Sequence, residues 1–292
     1  MEDTDDLAQD ESGQAPEAPV VRDPGLYLGM SDEDYHGSVG VSVSRLKLFS
    51  EAPAKVLAPR KETTALAFGK LAHTAVLEPE LLEARFRVTK LTRFNPKEKA
   101  YKAELDAAAR DGMALVKTAD WDAAMRLRDA VQAHPTLRDM LAPEGRDVEA
   151  SFYWRDPLTG LLCRGRADVL RNDWRAVIDV KTTESAHPDD FARKVAEYRY
   201  HWQQAHYEDG LAQAGWHAPE AFFFIAIEKE EPFLAGIYQL DPNALELGRR
   251  RVRDALNRWA ECERTGIWPG YPELPQPLDL PRWAYLQEGV IL

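Results

Sequence analysis

Asp168, Asp179 and Lys181 have the types and spacing needed for metal-dependent hydrolysis of a phosphodiester. Asp179 and Lys181 sit two apart in Ile178-Asp179-Val180-Lys181-Thr182-Thr183, and Asp168 lies just upstream in Arg166-Ala167-Asp168-Val169-Leu170. Clustered carboxylates hold a hard cation that activates water and neutralises phosphate charge, while an ammonium group steadies the nucleophile or the developing charge. The acid-x-Lys triplet alone decides nothing, since composition predicts about two by chance.

These groups need a scaffold that brings them together. Val, Ile and Leu around them favour strands, and Arg171-Asn172-Asp173-Trp174-Arg175 favours a hairpin link. Residues i and i+2 of a strand share a face, so Asp179 and Lys181 point the same way. The pattern predicts strands over 148–154, 161–170 and 176–182, with a further pair over 221–227 and 233–240. Helices are expected over 63–78, 97–115, 119–133, 189–214 and 241–264, with Ser31 and Ser44 as N-caps of two short helices further upstream. Ala65, Ala67, Gly69, Ala72 and Ala75 make the 63–78 helix a surface that another element can approach closely. The fold class is α/β: a mixed central β-sheet flanked by helices, with an N-terminal helical elaboration.

Composition sets outer limits. The chain has 292 residues and a net charge of −12. Residues 1–22 carry seven acids against the single base Arg22, and are expected to form a disordered acidic tail before a domain over 23–292. Outside that tail the charge is only mildly acidic, so it does not exclude a nucleic-acid partner. No apolar run approaches membrane-spanning length and no signal pattern opens the chain, which predicts a cytoplasmic protein without a membrane segment. Cys163 and Cys262 are the two cysteines. They cannot hold an iron–sulfur cluster alone, which argues against the iron–sulfur nucleases.

The order Gly69-x-x-x-His73, Asp168, Asp179-x-Lys181 and Gln203-x-x-x-Tyr207 resembles the RecB-like branch of the PD-(D/E)xK nuclease superfamily. Within it, Val41-Ser42-Val43-Ser44, Glu51-Ala52-Pro53-Ala54, residues 65–79, Cys163-Arg164-Gly165-Arg166-Ala167-Asp168, residues 200–207 and Trp268-Pro269-Gly270-Tyr271 are similar to the exonuclease VIII (RecE-type) nuclease domain of prophages. The likeness runs from about Leu26 to Leu292.

The resemblance implies roles. His73, Asp168, Asp179 and the Val180 carbonyl would bind Mg²⁺, with Mn²⁺ also effective because histidine is uncommon on Mg²⁺. Lys181 would orient or help deprotonate the attacking water, with Glu149 near a second metal or simply a solvent-facing strand residue. Gln203 and Tyr207 would contact DNA or brace the lysine, Tyr207 being equally a core residue. From the residues themselves, Arg164 and Arg166 alternate with Gly165 and share the face of Asp168, where they would grip a phosphate or pair with carboxylates, the first being favoured. The Arg249–Arg258 run reads as a solvated helix face, with DNA backbone contact as the alternative.

The implied activity is 5′ to 3′ exonuclease digestion of double-stranded DNA ends, leaving 3′ overhangs for a RecT-like single-strand annealing protein. A homo-oligomeric ring, trimer or tetramer, is implied with it. The rivals are an endonuclease of the same superfamily and a non-catalytic DNA-binding module on the nuclease fold.

Overall fold

Strand-forming residues dominate the middle of the chain and helix formers its flanks. The computed structural model, which describes residues 20–58, 64–91 and 97–280, follows that division. Residues 1–19 of the expected acidic tail and residues 281–292 lie outside the described residues. In chain order, β1 (Gly25–Tyr27) precedes α1 (Asp32–Gly37) and α2 (Val43–Glu51). Next come α3 (Thr64–Leu77), α4 (Leu82–Arg85), β2 (Phe86–Val88), α5 (Lys99–Arg110), β3 (Ala114–Val116), α6 (Thr118–Ala133) and α7 (Pro135–Met140). The sheet strands β4 (Arg146–Arg155), β5 (Leu162–Arg171) and β6 (Ala176–Thr183) follow. The chain continues through α8 (Pro188–Glu197), α9 (Tyr200–Gln213), β7 (Ala221–Glu228), β8 (Ala235–Tyr238) and α10 (Pro242–Thr265).

Local chemistry explains many of these boundaries. The Ser31 hydroxyl accepts from Asp34 N at 3.0 Å and caps α1. The second cap is Ser42, not Ser44: its hydroxyl accepts from Arg45 N at 3.4 Å. Both serines carry the same capping chemistry, and burial of Val43, Leu46 and Phe49 sets the helix phase. The 189–214 segment forms two helices instead of one. Arg199 adopts φ 54° and ψ 49° between them, and its guanidinium donates to Lys47 O at 2.7 Å and Ser50 Oγ at 2.6 Å. No Gly or Pro marks that break, which a contact with distant α2 accompanies.

The main sheet has the order β1-β4-β5-β6-β7-β8. All neighbours are antiparallel except β6 and β7, whose parallel pairing requires a crossover that α8 and α9 supply. A separate parallel pair, β2 with β3, which the sequence pattern does not show, lies in the N-terminal elaboration.

Two apolar clusters cover the sheet. Phe49, Phe152, Trp154, Leu211 and Trp259 belong to one, and Val76, Leu127, Leu137, Ile178 and Val180 to the other. The chain end contributes to the first: Trp268 stands edge-on to Trp259 with ring centroids 5.5 Å apart. On α3, Ala72 and Ala75 are buried as expected, but a methyl group at Gly69 would meet open space, so no element approaches closely there. No helix among the described residues is long and apolar enough to cross a membrane.

Alternation along β4 slips at one place. Ala150, Phe152 and Trp154 pack in the first cluster, whereas Val148 packs against the second. Across the ladder, Cys163 and Ala167 of β5 join the first cluster and Val169 the second. Both slips coincide with Glu149, whose φ is 48°.

Candidate active site

Glu149 and Asp168 meet across two strands. Val148 pairs with Val169 and Ala150 with Ala167, so Glu149 faces Asp168. Like charges directly opposite each other destabilise a ladder. Glu149 also carries the left-handed backbone that a side chain with a Cβ adopts at a cost of about 1–3 kcal/mol, and such strain concentrates at functional sites. From the helical side, α3 adds His73. One ligand atom each from His73, Glu149 and Asp168 lie within 4.8 Å of one another.

The β6 backbone fixes two of these groups. Val180 N–H donates to Asp168 Oδ2 at 2.7 Å, and His73 Nε2 lies 2.7 Å from the Val180 carbonyl. A carbonyl only accepts, so Nε2 carries the proton and Nδ1 faces the cluster, 3.7 Å from Asp168 Oδ2. The Val180 carbonyl, expected from the sequence as a metal ligand, is thus engaged by the His73 ring.

The charges here are uncomfortable without a cation. Burial first, and then Asp168, push the Glu149 carboxyl up to about 8, against a smaller opposing effect of Arg166. A mixed nitrogen and oxygen donor set suits a divalent ion of hard or borderline character. A cation between the two opposed carboxylates would remove their repulsion. The residues therefore fit a divalent metal.

The sequence matches the family model described as a PDDEXK-like domain of unknown function (DUF3799) over residues 42–279. The chain belongs to this family. The fold of this PDDEXK-like protein is also similar to the crystal structure of a "Putative exonuclease" from Eubacterium rectale. That match has a TM-score of 0.60 and 16% identity, and covers 91% of this chain and 100% of the other. The crystal structure of SSO0001 matches with a TM-score of 0.29 and 15% identity over 65% of this chain and 86% of that one, too weak a likeness to use. No curated protein matches the sequence.

Beside the His73–Glu149–Asp168 cluster of this PDDEXK-like domain, Asp179 is fully buried. Asp179 does not join that cluster, although it was expected among the metal ligands. Its Oδ1 lies 2.5 Å from Lys181 Nζ, and its Oδ2 accepts from Gln203 Nε2. Burial pushes the Asp179 carboxyl up to about 6, Lys181 holds that rise back, and Asp168 adds to it. Burial disfavours charge on Lys181, but Asp179 and Asp168 outweigh it and keep the ammonium form well above its ordinary range. Gln203 therefore holds Asp179, and Asp179 holds Lys181.

The remaining predicted residues serve other contacts. Tyr207 is buried edge-on against Phe152 at 5.3 Å, and burial raises its phenol well above the ordinary value. The Arg164 guanidinium donates to the Tyr35 and Ser38 carbonyls and, at 2.7 Å, to Ser38 Oγ. Arg166 donates to Asp32 at 2.7 Å, Ser151 Oγ at 2.8 Å, and the Met30 and Ser31 carbonyls at 3.0 Å. Of the two roles open to this pair, Arg166 makes the carboxylate contact, and both guanidinium groups tie the α1 region to β5.

Two neighbours of the lysine escaped the sequence reading. Lys181 Nζ lies 4.9 Å from the centroid of the Tyr200 ring, and Lys47 Nζ lies 5.5 Å from the same ring. Burial first, then Lys181, push Lys47 down to about 7, with Asp179 opposing. Lys47 sits on α2, more than a hundred residues upstream, and no local spacing signals its approach.

Proposed function

We propose that this PDDEXK-like protein is a Mg²⁺-dependent exodeoxyribonuclease that digests one strand of double-stranded DNA from its 5′ end. The observation that carries the reading is the meeting of His73, Glu149 and Asp168 within 4.8 Å beside the Asp179–Lys181 pair. Bound there, the cation would supply Lewis acidity and charge neutralisation at the scissile phosphate. Lys181, held by Asp179, which Gln203 holds in turn, stabilises the attacking oxygen. Mn²⁺ would substitute, because His73 supplies a nitrogen donor.

The biological setting extends the same reading. The products are mononucleotides and a 3′ overhang, which a RecT-like annealing protein would take up in recombination. A ring of three or four copies would hold the DNA by enclosure, which suits a chain of net charge −12. The cytoplasm is the compartment in which such a protein works.

The test is linear duplex labelled separately at its 5′ and 3′ ends, with Mg²⁺, beside covalently closed circular DNA. The proposal expects early release of the 5′ label as mononucleotide with the circle intact. Cleavage of the circle would make the protein an endonuclease. Binding without cleavage in Mg²⁺ or Mn²⁺ would make it a DNA-binding module.

A further inference from the structure

The arginine run of α10 divides into two sets. Arg249 pairs with Glu208 at 2.7 Å, Arg250 with Glu246 at 3.8 Å, and Arg253 grips both oxygens of Asp156 at 2.8 and 2.7 Å. Arg251 and Arg258 make no ion pair among the described residues. They lie seven residues apart, hence on one face of the helix.

That face lines a polar cavity of about 370 Å³ between α2, α9 and α10. Arg199, His201 and Ser50 line it too, and Asp254 is its one acid. Three guanidinium groups against one carboxylate make the cavity electropositive in a chain of net charge −12. Guanidinium cannot shed its proton to relieve that crowding. Burial lowers the His201 pKa, a hydrogen bond with the Val195 backbone opposes that shift, and Lys47, Arg199 and Arg251 add to the lowering.

The arrangement is built in. A methyl group at Gly248 would collide with the His201 carbonyl, so the missing side chain lets α10 close on the start of α9 and brings Arg251 to the cavity. Arg199 donates to Lys47 O at 2.7 Å and to Ser50 Oγ at 2.6 Å, which leaves its other terminal nitrogen for a ligand. Lys47 connects the cavity to the reacting centre, since its ammonium group shares the Tyr200 ring with Lys181. A planar fork of N–H donors binds phosphate oxygens bidentately, and phosphate is the anion that every nucleotide of a DNA strand carries.

We infer that this cavity is a phosphate subsite for the DNA strand, with Arg199, Arg251 and Arg258 as donors and Lys47 joining it to the scissile position. The inference rests on the nuclease reading. It adds a place where a phosphate beyond the reacting one is held, and that place fixes how the strand enters.

The experiment compares two double variants of the full chain, Arg251→Gln with Arg258→Gln, and Arg249→Gln with Arg250→Gln. Each removes two charges from the same helix. Duplex DNA binding is followed by fluorescence anisotropy over a series of salt concentrations, with Ca²⁺ as the divalent cation. Losing two phosphate contacts lowers the slope of log K against log salt by about 2. The first variant should show that loss, with raised KM and retained kcat in Mg²⁺, and the second should match the unaltered chain.

Equal slopes for both variants would overturn the subsite while leaving the nuclease reading intact. Failure of the unaltered chain to bind DNA at all would overturn both. Running 5′-phosphorylated and 5′-hydroxyl duplexes in parallel identifies the phosphate. A loss with both substrates supports an internal phosphodiester, and a loss with the phosphorylated one alone supports the terminal group.

Discussion

Lys181 Nζ lies 2.5 Å from Asp179 Oδ1, on a carboxylate that has no exposure of its own and whose second oxygen is held by Gln203. The lysine is therefore the main compensation for a buried negative charge, and the carboxylate is what keeps the lysine protonated. Each is placed by the other.

Replacing either member should stop the chemistry without unfolding the protein. Asp179→Asn and Lys181→Ala are each expected to lower kcat by about 100-fold or more. Removing one partner of a buried pair also costs stability, up to about 3 kcal/mol here because Lys181 keeps some solvent contact. Combining the two substitutions should cost less than the sum, since neither charge is then left alone. Cleavage rates and urea unfolding of the four proteins check this. Additive losses of stability would show that the pair is not energetically linked.

The pH dependence of stability should carry the signature of Glu149. Its carboxyl is pushed up to about 8 in the folded protein, above an ordinary carboxylate in the unfolded chain. The folded state thus binds more protons, so the contribution to stability is complete below about pH 4.5 and is lost as pH rises through about 8. Asp179, raised to about 6, acts in the same direction over the lower part of that range. In chelator, Tm should fall between pH 5 and pH 8, and Glu149→Gln should flatten the fall. A wild-type Tm that rises over this interval would contradict the burial of these carboxyls.

A divalent cation should reverse that loss. Metal that binds only the folded chain adds about 2.7 kcal/mol at one hundred times its Kd. Mn²⁺ or Mg²⁺ at pH 8 should therefore raise Tm measurably, and Asp168→Asn or His73→Ala should abolish the rise. A thermal shift that survives Asp168→Asn would move the metal elsewhere.

Two glycines should respond oppositely to alanine. A Cβ at Gly210 would come within 2.5 Å of Trp154 and 2.8 Å of Phe152, in the first core cluster. Gly210→Ala is expected to cost about 1–3 kcal/mol by overpacking. Gly69, within α3, has nothing within 4 Å of that position, so Gly69→Ala should gain up to about 1 kcal/mol from helix propensity. Denaturant midpoints of both variants check the contrast.

The sequence by itself determined five of the six strands of the central sheet, β4 to β8, to within two residues. The three-residue β1 is too short to show a period and is defined by its pairing with β4. The apolar runs around Asp168 and Asp179 have strand character, and the period of two puts Asp179 and Lys181 on one face whatever the surroundings. The family motif was equally local, so its residues could be read in order along the chain. Helix phase and breaks were less legible. Ser42 and Ser44 offer the same cap, and only the burial of Val43 and Leu46 chooses between them. The turn at Arg199 accompanies contacts with Lys47 and Ser50, about 150 residues away.

The site depended on tertiary structure most of all. Glu149 reads as an ordinary strand residue until β4 is paired with β5, which sets it opposite Asp168. Arg164 and Arg166 look free to grip a phosphate until the α1 region covers them. Lys47 has no motif, and it reaches the reacting centre because α2 packs beside α9. Periodicity is a property of neighbouring residues and survives in one dimension. Charge pairing and burial depend on distances across the fold, which chain closure alone sets.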